Sequence, residues 1–131
     1  MLDLFKPIPV YIKLFSDRIE ITRLDNGETI SRNASKKFSN SRLVLAHFEN
    51  AQMLLRSMLS KWAAKILIFQ RGFNVVNQQI EKMDDGLSEI ERHALTEIAE
   101  YSGAKNVHAI GHARKLTNEK ARSLLSKSKN T

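Results

Sequence analysis

The chain has 131 residues, 42% of them hydrophobic and 27% charged, with 21 Lys and Arg against 14 Asp and Glu. That length suits one domain, and such a chain buries about two thirds of its unfolded surface, enough for a core without staples. The lack of cysteine excludes a disulfide scaffold, thiolate zinc sites and thiol catalysis; no apolar run reaches the ~18 residues of a membrane span, and the opening residues do not read as a signal peptide.

Pro9 to Thr22 reads as extended. Val10, Ile12 and Leu14 alternate, and Ile19 and Ile21 resume the period after Ser16-Asp17; period-two alternation with β-branched side chains predicts strands. Asp25-Asn26-Gly27 predicts a tight turn, because Asn and Gly tolerate positive φ. Thr29-Ile30 then opens a third strand, so residues 9–32 are expected to form a three-stranded antiparallel meander. Residues 31–42 are polar and basic and predict an exposed loop. Ala51, Leu54, Leu55, Met58, Leu59 and Trp62 fall on one helical stripe, predicting an amphipathic helix over residues 49–64 with its Met and Trp in the core.

Ile66-Leu67-Ile68-Phe69 is a short apolar run, as expected of a strand buried on both faces. Gly72 to Asp85 is polar and ambiguous, with Asp84-Asp85-Gly86 as a turn. Ser88 with Glu91 forms a capping box ahead of a stripe of Ile90, Ala94, Leu95, Ile98 and Ala99. Gly103 stands where a helix C-terminal glycine belongs. Val107 to Ile110 predicts another strand, and Thr117 caps a last helix carrying Ala121, Leu124 and Leu125 before Ser126–Thr131 frays. The order β-β-β-α-β-α-β-α is α/β. It predicts a meander followed by two β-α-β crossovers, a mixed five-stranded sheet with helices, in the layout of a ribonuclease-H-like half.

Particular residues carry a closer likeness. Val44-Leu45-Ala46-His47-Phe48 leading into Glu49–Leu55 resembles the Val-Ile-Ala-Asp-Phe segment and helix of the MreB-type bacterial actin homologues, the rod-shape-determining proteins. Ile66-Leu67-Ile68 sits where that family has its next central strand. Ser88-Glu89-Ile90-Glu91-Arg92-His93-Ala94-Leu95, followed by Gly103-Ala104-Lys105-Asn106-Val107, is similar to the family's Thr-x-x-Glu-Arg-Arg-Ala-(Ile/Leu) helix and Gly-Ala-(Arg/Lys)-x-Val strand. The resemblance spans roughly residues 8–116 and implies an actin-like ATPase half, the first of the family's two lobes. Residues 1–7 then form an N-terminal apolar segment, and residues 117–131 a basic helix and frayed tail.

The departures from the family matter most for function. Actin-fold ATPases open with a strand ending Asp-Leu-Gly-Thr, whose Asp serves the magnesium site and whose turn cradles phosphate. In the corresponding stretch here Lys13 replaces the Asp, reversing the charge that would hold Mg²⁺. Phe15 replaces the Gly that lets backbone approach phosphate, and Ser16 alone imitates the Thr. The family's second phosphate motif belongs to the other lobe, and Gly111-His112 replaces the Glu-Pro that follows the family's counterpart of the last matched strand. Phosphoryl transfer relies on those parts, so the expectation is no enzyme, no catalytic residue and no cofactor.

Other chemistry is weakly signalled. His108 and His112 are four apart, a spacing that aligns ligands on a helix but here spans a strand end and Gly111, so no metal is expected. His93 reads as a surface residue, and Asp84-Asp85 as turn chemistry.

Charge is polarised. Residues 81–100 carry seven acids and two bases, and residues 104–131 seven bases and one acid. Such a molecule steers anionic partners to one end, although a solvated face followed by a solubilising tail accounts for the same pattern. The residues expected to meet a partner are Arg114, Lys115, Lys120 and Arg122 at the basic end and Leu2, Leu4 and Phe5 at the N-terminus. That N-terminal cluster resembles the family's short membrane-contacting segment. Before Pro7 it makes less than two turns, so membrane affinity is marginal alone, and a cap over the sheet edge is the competing reading. The basic tail adds attraction to anionic lipid of roughly 1 kcal/mol per basic residue.

The sequence thus predicts a non-catalytic, truncated actin-like domain acting as a protein-interaction or regulatory module linked to the cell-shape cytoskeleton. Its partner would be a cytoskeletal homologue or a second copy in a homodimer, in the cytoplasm or at the inner membrane face. The alternative is a small basic protein that binds nucleic acid without sequence specificity. Against that, the tail has no aromatic residue to stack on bases.

Overall fold

A computed structural model describes residues 6–63, 65–66, 69–70, 72–83 and 86–129. The chain runs β1 (Ile8–Phe15), β2 (Arg18–Arg23), β3 (Thr29–Asn33), α1 (Phe48–Leu59), β4 (Lys65–Ile66), β5 (Phe69–Gln70), β6 (Phe73–Gln79), α2 (Glu89–Tyr101), β7 (Ala104–Ile110) and α3 (Asn118–Lys129). Five strands form one mixed sheet in the order β3-β2-β1-β6-β7. β1, β2 and β3 pair antiparallel, whereas β6 pairs parallel to both β1 and β7. The expected α/β architecture, a meander and two crossovers, is what the chain adopts.

The meander forms because its turns suit its residues. Ser16-Asp17 closes the first hairpin with Asp17 at φ 61°, and Gly27 sits at φ 81° in the second, both conformations that Asp and Gly tolerate. The side chain of Asn26 accepts a hydrogen bond from the Glu28 amide at 2.8 Å and pins that turn. One face of the sheet buries Ile8, Val10, Ile12 and Leu14 of β1 with Ile19 and Ile21 of β2 under α1 and α2. The opposite face packs Tyr11, Leu24 and Val76 against Ala121 and Leu125 of α3. β1 is therefore buried on both sides, which places it at the centre of the fold.

Both long-helix signals hold with adjustments. In α1, Ala51, Leu55, Met58 and Leu59 are buried as the stripe requires. The helix ends at Leu59, and a tighter turn carries Trp62 into the core at 7% exposure. α2 begins with the predicted capping box: Ser88 Oγ accepts from the Glu91 amide and Glu91 Oε1 from the Ser88 amide, each at 3.1 Å. Ile90 is not part of its buried stripe. It lies 83% exposed, and the buried face of α2 is carried by Leu95, Ile98 and Ala99. α3 is capped by the Thr117 hydroxyl, which accepts from the Lys120 amide at 3.0 Å, and continues to Lys129 where fraying was expected.

Two expectations are corrected. The strand beside β1 is β6, not the apolar run at Ile66–Phe69. The described part of that run lies in a two-stranded β4–β5 hairpin outside the main sheet. Every residue of β6 is buried, yet Asn74, Asn77, Gln78 and Gln79 disguise it as a loop. Most of their polar atoms find partners: Asn77 Nδ2 donates to the Leu95 carbonyl at 2.9 Å, and Asn106 Nδ2 donates to Asn74 Oδ1 at 2.9 Å, while Asn77 Oδ1 stays buried without a partner among the described residues. The stretch at residues 31–42 is not wholly exposed either, since Phe38 is fully buried in the main core. The apolar cluster Leu2, Leu4 and Phe5 and the pair Asp84-Asp85 lie outside the described residues. Among those described, no helix is long and apolar enough to cross a membrane.

Candidate functional site

The carboxyl ends of the parallel strands converge on the β1–β2 hairpin, where open α/β sheets usually take ligands. Lys13, Phe15 and Ser16 all sit there, and each is engaged by neighbouring side chains of the chain itself. Lys13 Nζ meets Glu20 Oε2 at 2.7 Å, with its ammonium 4.9 Å from the centre of the Tyr11 ring. Arg18 adds a second contact to Glu20 at 3.6 Å. The hydrogen bond from Lys13 is the main reason that the Glu20 carboxyl sits below its ordinary range. Phe15 is flanked by cations, with the Arg18 guanidinium 3.8 Å and the Lys115 ammonium 5.6 Å from its ring centre.

Ser16 is held twice from the segment that follows β6. Its backbone amide donates to Glu81 Oε1, and its hydroxyl accepts from Lys82 Nζ at 2.9 Å. The Ser16 amide is also the first cause of the lowered Glu81 carboxyl. Lys82 adopts φ 58°, a left-handed conformation that costs a β-carbon residue about 1–2 kcal/mol. The turn is shaped by Gln79, whose Nε2 donates to the carbonyls of Glu81 at 3.0 Å and Lys82 at 3.4 Å. On the other side of the tip, Asp17 Oδ1 accepts from the amides of Phe38 at 2.8 Å and Ser39 at 2.9 Å. Partial burial opposes ionisation of Asp17, but these amides outweigh it and keep its carboxyl low.

A third clamp lies beneath the loop between β7 and α3. The Tyr11 hydroxyl donates to Gln78 Oε1 and accepts from the Leu116 amide at 2.9 Å. Gln78 Nε2 donates to the carbonyls of His112 at 2.6 Å and Arg114 at 2.8 Å. At Gly111, a β-carbon would lie 2.5 Å from the Arg92 guanidinium, which reaches past it to the Ala109 carbonyl at 3.2 Å.

The basic residues expected to meet a partner are not equivalent. Arg122 and Lys115 are exposed but already engaged, the Arg122 guanidinium donating to the Leu24 carbonyl at 2.9 Å and the Lys115 ammonium lying over Phe15. Arg114 and Lys120 are exposed. His108 and His112 are not brought into a ligand set: His112 lies 3.5 Å from the Gln78 amide, and His108 Nε2 is buried without a partner among the described residues. No group of three or more His, Asp or Glu residues that would hold a metal occurs among the described residues. His93 is exposed on α2. Sequence reasoning missed Glu81, Lys82, Gln78 and Tyr11. A buried Val-Val-Asn-Gln-Gln run beside a central strand is the one local signal that points toward them.

No family model matches the chain, and no curated protein matches it. Among solved structures the fold is similar to the crystal structure of MreB 5 of Spiroplasma citri bound to AMPPNP, with a TM-score of 0.58 and 16% sequence identity. The match covers 80% of this chain and 38% of that one, so this chain spans well under half of its neighbour's length. At that identity the likeness establishes architecture: the chain has an actin-like fold.

Proposed function

We propose that this actin-like domain is non-catalytic and works as a protein-interaction or regulatory module associated with an MreB-type cell-shape cytoskeleton. The observation that carries the reading is the occupation of the hairpin by the chain's own charges. The Ser16 amide, which the sequence resemblance aligns with the family's phosphate-cradling turn, is engaged by the Glu81 carboxylate, and Lys13, which it aligns with the magnesium-serving Asp, is ion-paired with Glu20. A carboxylate on the hairpin amide repels an incoming phosphate, and an ammonium repels Mg²⁺. The residues present do not fit a magnesium nucleotide. The likeness to an MreB fold supports the cytoskeletal association, with a homologue or a second copy as partner.

The test is an amide-resolved NMR titration with Mg²⁺-ATP alongside a phosphate-release assay. Unmoved resonances from Lys13 to Arg18 and no released phosphate are expected; saturable shifts there with turnover would overturn the reading. Duplex DNA in a parallel titration addresses the nucleic-acid alternative, which the exposed Arg114 and Lys120 favour. Saturable, salt-dependent movement at residues 114–126 would select that alternative. A concentration-independent monomer mass in light scattering would remove the homodimer.

A further inference from the structure

We propose that the open edge of β3, with the groove it forms against α1, docks an extended acidic segment of a partner protein by strand addition. The inference names a surface for the interaction role above and rests on that reading. Among the described residues β3 ends the sheet order. The amide of Arg23 bonds the Glu28 carbonyl at 2.7 Å, and that of Ala34 bonds the Asp17 carbonyl at 2.8 Å. Together with the Ile19–Arg32 and Ile21–Ile30 register, these bonds fix which residues of β3 turn toward β2. Antiparallel alternation then directs the backbone N–H and C=O groups of Thr29, Ser31 and Asn33 outward. A row of outward groups at strand spacing is a template for another extended chain.

The groove supplies polarity. It encloses about 320 Å³ between Arg32, Asn33 and Lys36 on one side and Asn50, Met53 and Leu54 on the other. Met53 is 63% exposed on α1, offering an apolar contact for alternate side chains of an added strand. Arg32 is steadied by its bond to the Ser57 hydroxyl at 2.8 Å. The lining holds two cations and no carboxylate, and the stretch 31–42 carries Arg32, Lys36, Lys37 and Arg42 with no acid. An occupant with Glu or Asp along one side complements that charge, while a basic strand is repelled.

The probe is a synthetic ten-residue peptide of alternating Glu and Val, titrated into the isotopically labelled full chain. Saturable shifts confined to residues 29–36 and 50–57 are expected, with slowed hydrogen exchange at Ser31 and Asn33. Affinity should fall roughly fivefold for Lys36→Glu, an exposed change that leaves the core untouched, and further when salt is raised. Ser31→Pro removes one outward N–H and should weaken binding without altering the salt dependence. Equal binding of the matching Lys-Val peptide, shifts on α2 or α3 instead, or no saturation would each overturn the proposal. A stronger response of the same residues to duplex DNA or to vesicles of anionic lipid would overturn it too. Because the Mg²⁺-ATP titration reads the hairpin and this one reads the β3 edge, failure of the one is distinguishable from failure of the other.

Discussion

Replacing Tyr11 by Phe removes one oxygen from the middle of the sheet while leaving the buried ring in place, so no cavity term enters. The hydroxyl gives its hydrogen to Gln78 Oε1 and receives that of the Leu116 amide at 2.9 Å. Gln78 has no way to compensate by turning its amide over, because Nε2 already serves the His112 and Arg114 carbonyls at 2.6 and 2.8 Å. Oε1 of a fully buried side chain is therefore left without a donor, at about 1–3 kcal/mol, while the half-buried Leu116 amide recovers part of its bond from water. The net loss is about 2 kcal/mol, or roughly 6–10 °C in Tm for a domain of this size. Urea unfolding should show a lower midpoint at unchanged m, and the Leu116 amide should exchange faster. A loss below about 0.5 kcal/mol with Leu116 still protected would refute the reasoning, since a buried orphan acceptor does not come so cheaply. The same residue sets an alkaline limb. Burial above all, helped by Glu20 and opposed by the Leu116 amide, raises the Tyr11 hydroxyl above its ordinary value of 10.0. The native state then keeps this proton longer than the unfolded state, so the associated stability is full below about pH 10 and is lost as pH rises through the native pKa. Tyr11→Phe should lack that limb.

Ser88→Ala removes the amide-accepting half of the α2 capping box and should cost about 1 kcal/mol, read by thermal unfolding. Gly27→Ala meets no neighbouring atom within 4 Å but must hold φ 81°; it should destabilise by about 1 kcal/mol through backbone strain alone, with an unchanged amide spectrum outside the turn. Leu95→Ala empties a fully buried position on the inner face of α2 and should cost about 2–5 kcal/mol in denaturant unfolding. Glu81→Gln acts at acid pH. Since the Glu81 carboxyl lies below its ordinary 4.5 in the folded chain, the stability it contributes is present above that pH and lost as pH falls through the folded value. The variant should show a shallower acid dependence than the parent; identical acid profiles would mean that the carboxylate does not hold Ser16.

How much of this was legible depended on whether polarity and burial agreed. The meander was readable because Val10, Ile12, Leu14, Ile19 and Ile21 alternate and the turn residues match the φ values they adopt. The α2 capping box was readable because its signature lies within four residues. β6 was not, because its burial is bought by long-range partners: Asn77 reaches Leu95 and Gln78 reaches His112 and Arg114. Nothing local to Asn77-Gln78-Gln79 announces those acceptors. Ile66–Phe69 misled for the converse reason, since apolar character alone does not choose between a sheet centre and a separate hairpin. Lys13 and Phe15 were visible as departures, but their partners Glu20, Arg18 and Lys115, and the grip of Glu81 on Ser16, exist only once β2, β6 and the β7–α3 loop are brought together.

These contacts also explain why an interaction surface is better sought away from the carboxyl ends of the parallel strands. There Glu81 and Lys82 hold Ser16, Lys13 pairs with Glu20, and the Tyr11–Gln78 pair ties down the segment from His112 to Leu116. An external ligand would have to break several short, partly buried hydrogen bonds, each worth about 0.5–1.5 kcal/mol net, or up to about 3 where a charge takes part, before gaining any contact of its own. At β3 the balance is reversed. Thr29, Ser31 and Asn33 direct their backbone groups away from β2, and Arg32 already has its guanidinium oriented by Ser57, so an added strand gains hydrogen bonds and charge contacts while displacing mainly water. By this argument, weakening the hairpin with Glu81→Gln should leave peptide affinity at the β3 edge unchanged. A coupled loss of affinity would show instead that the hairpin sets the geometry of β3, through Asp17 and its bonds to the Phe38 and Ser39 amides.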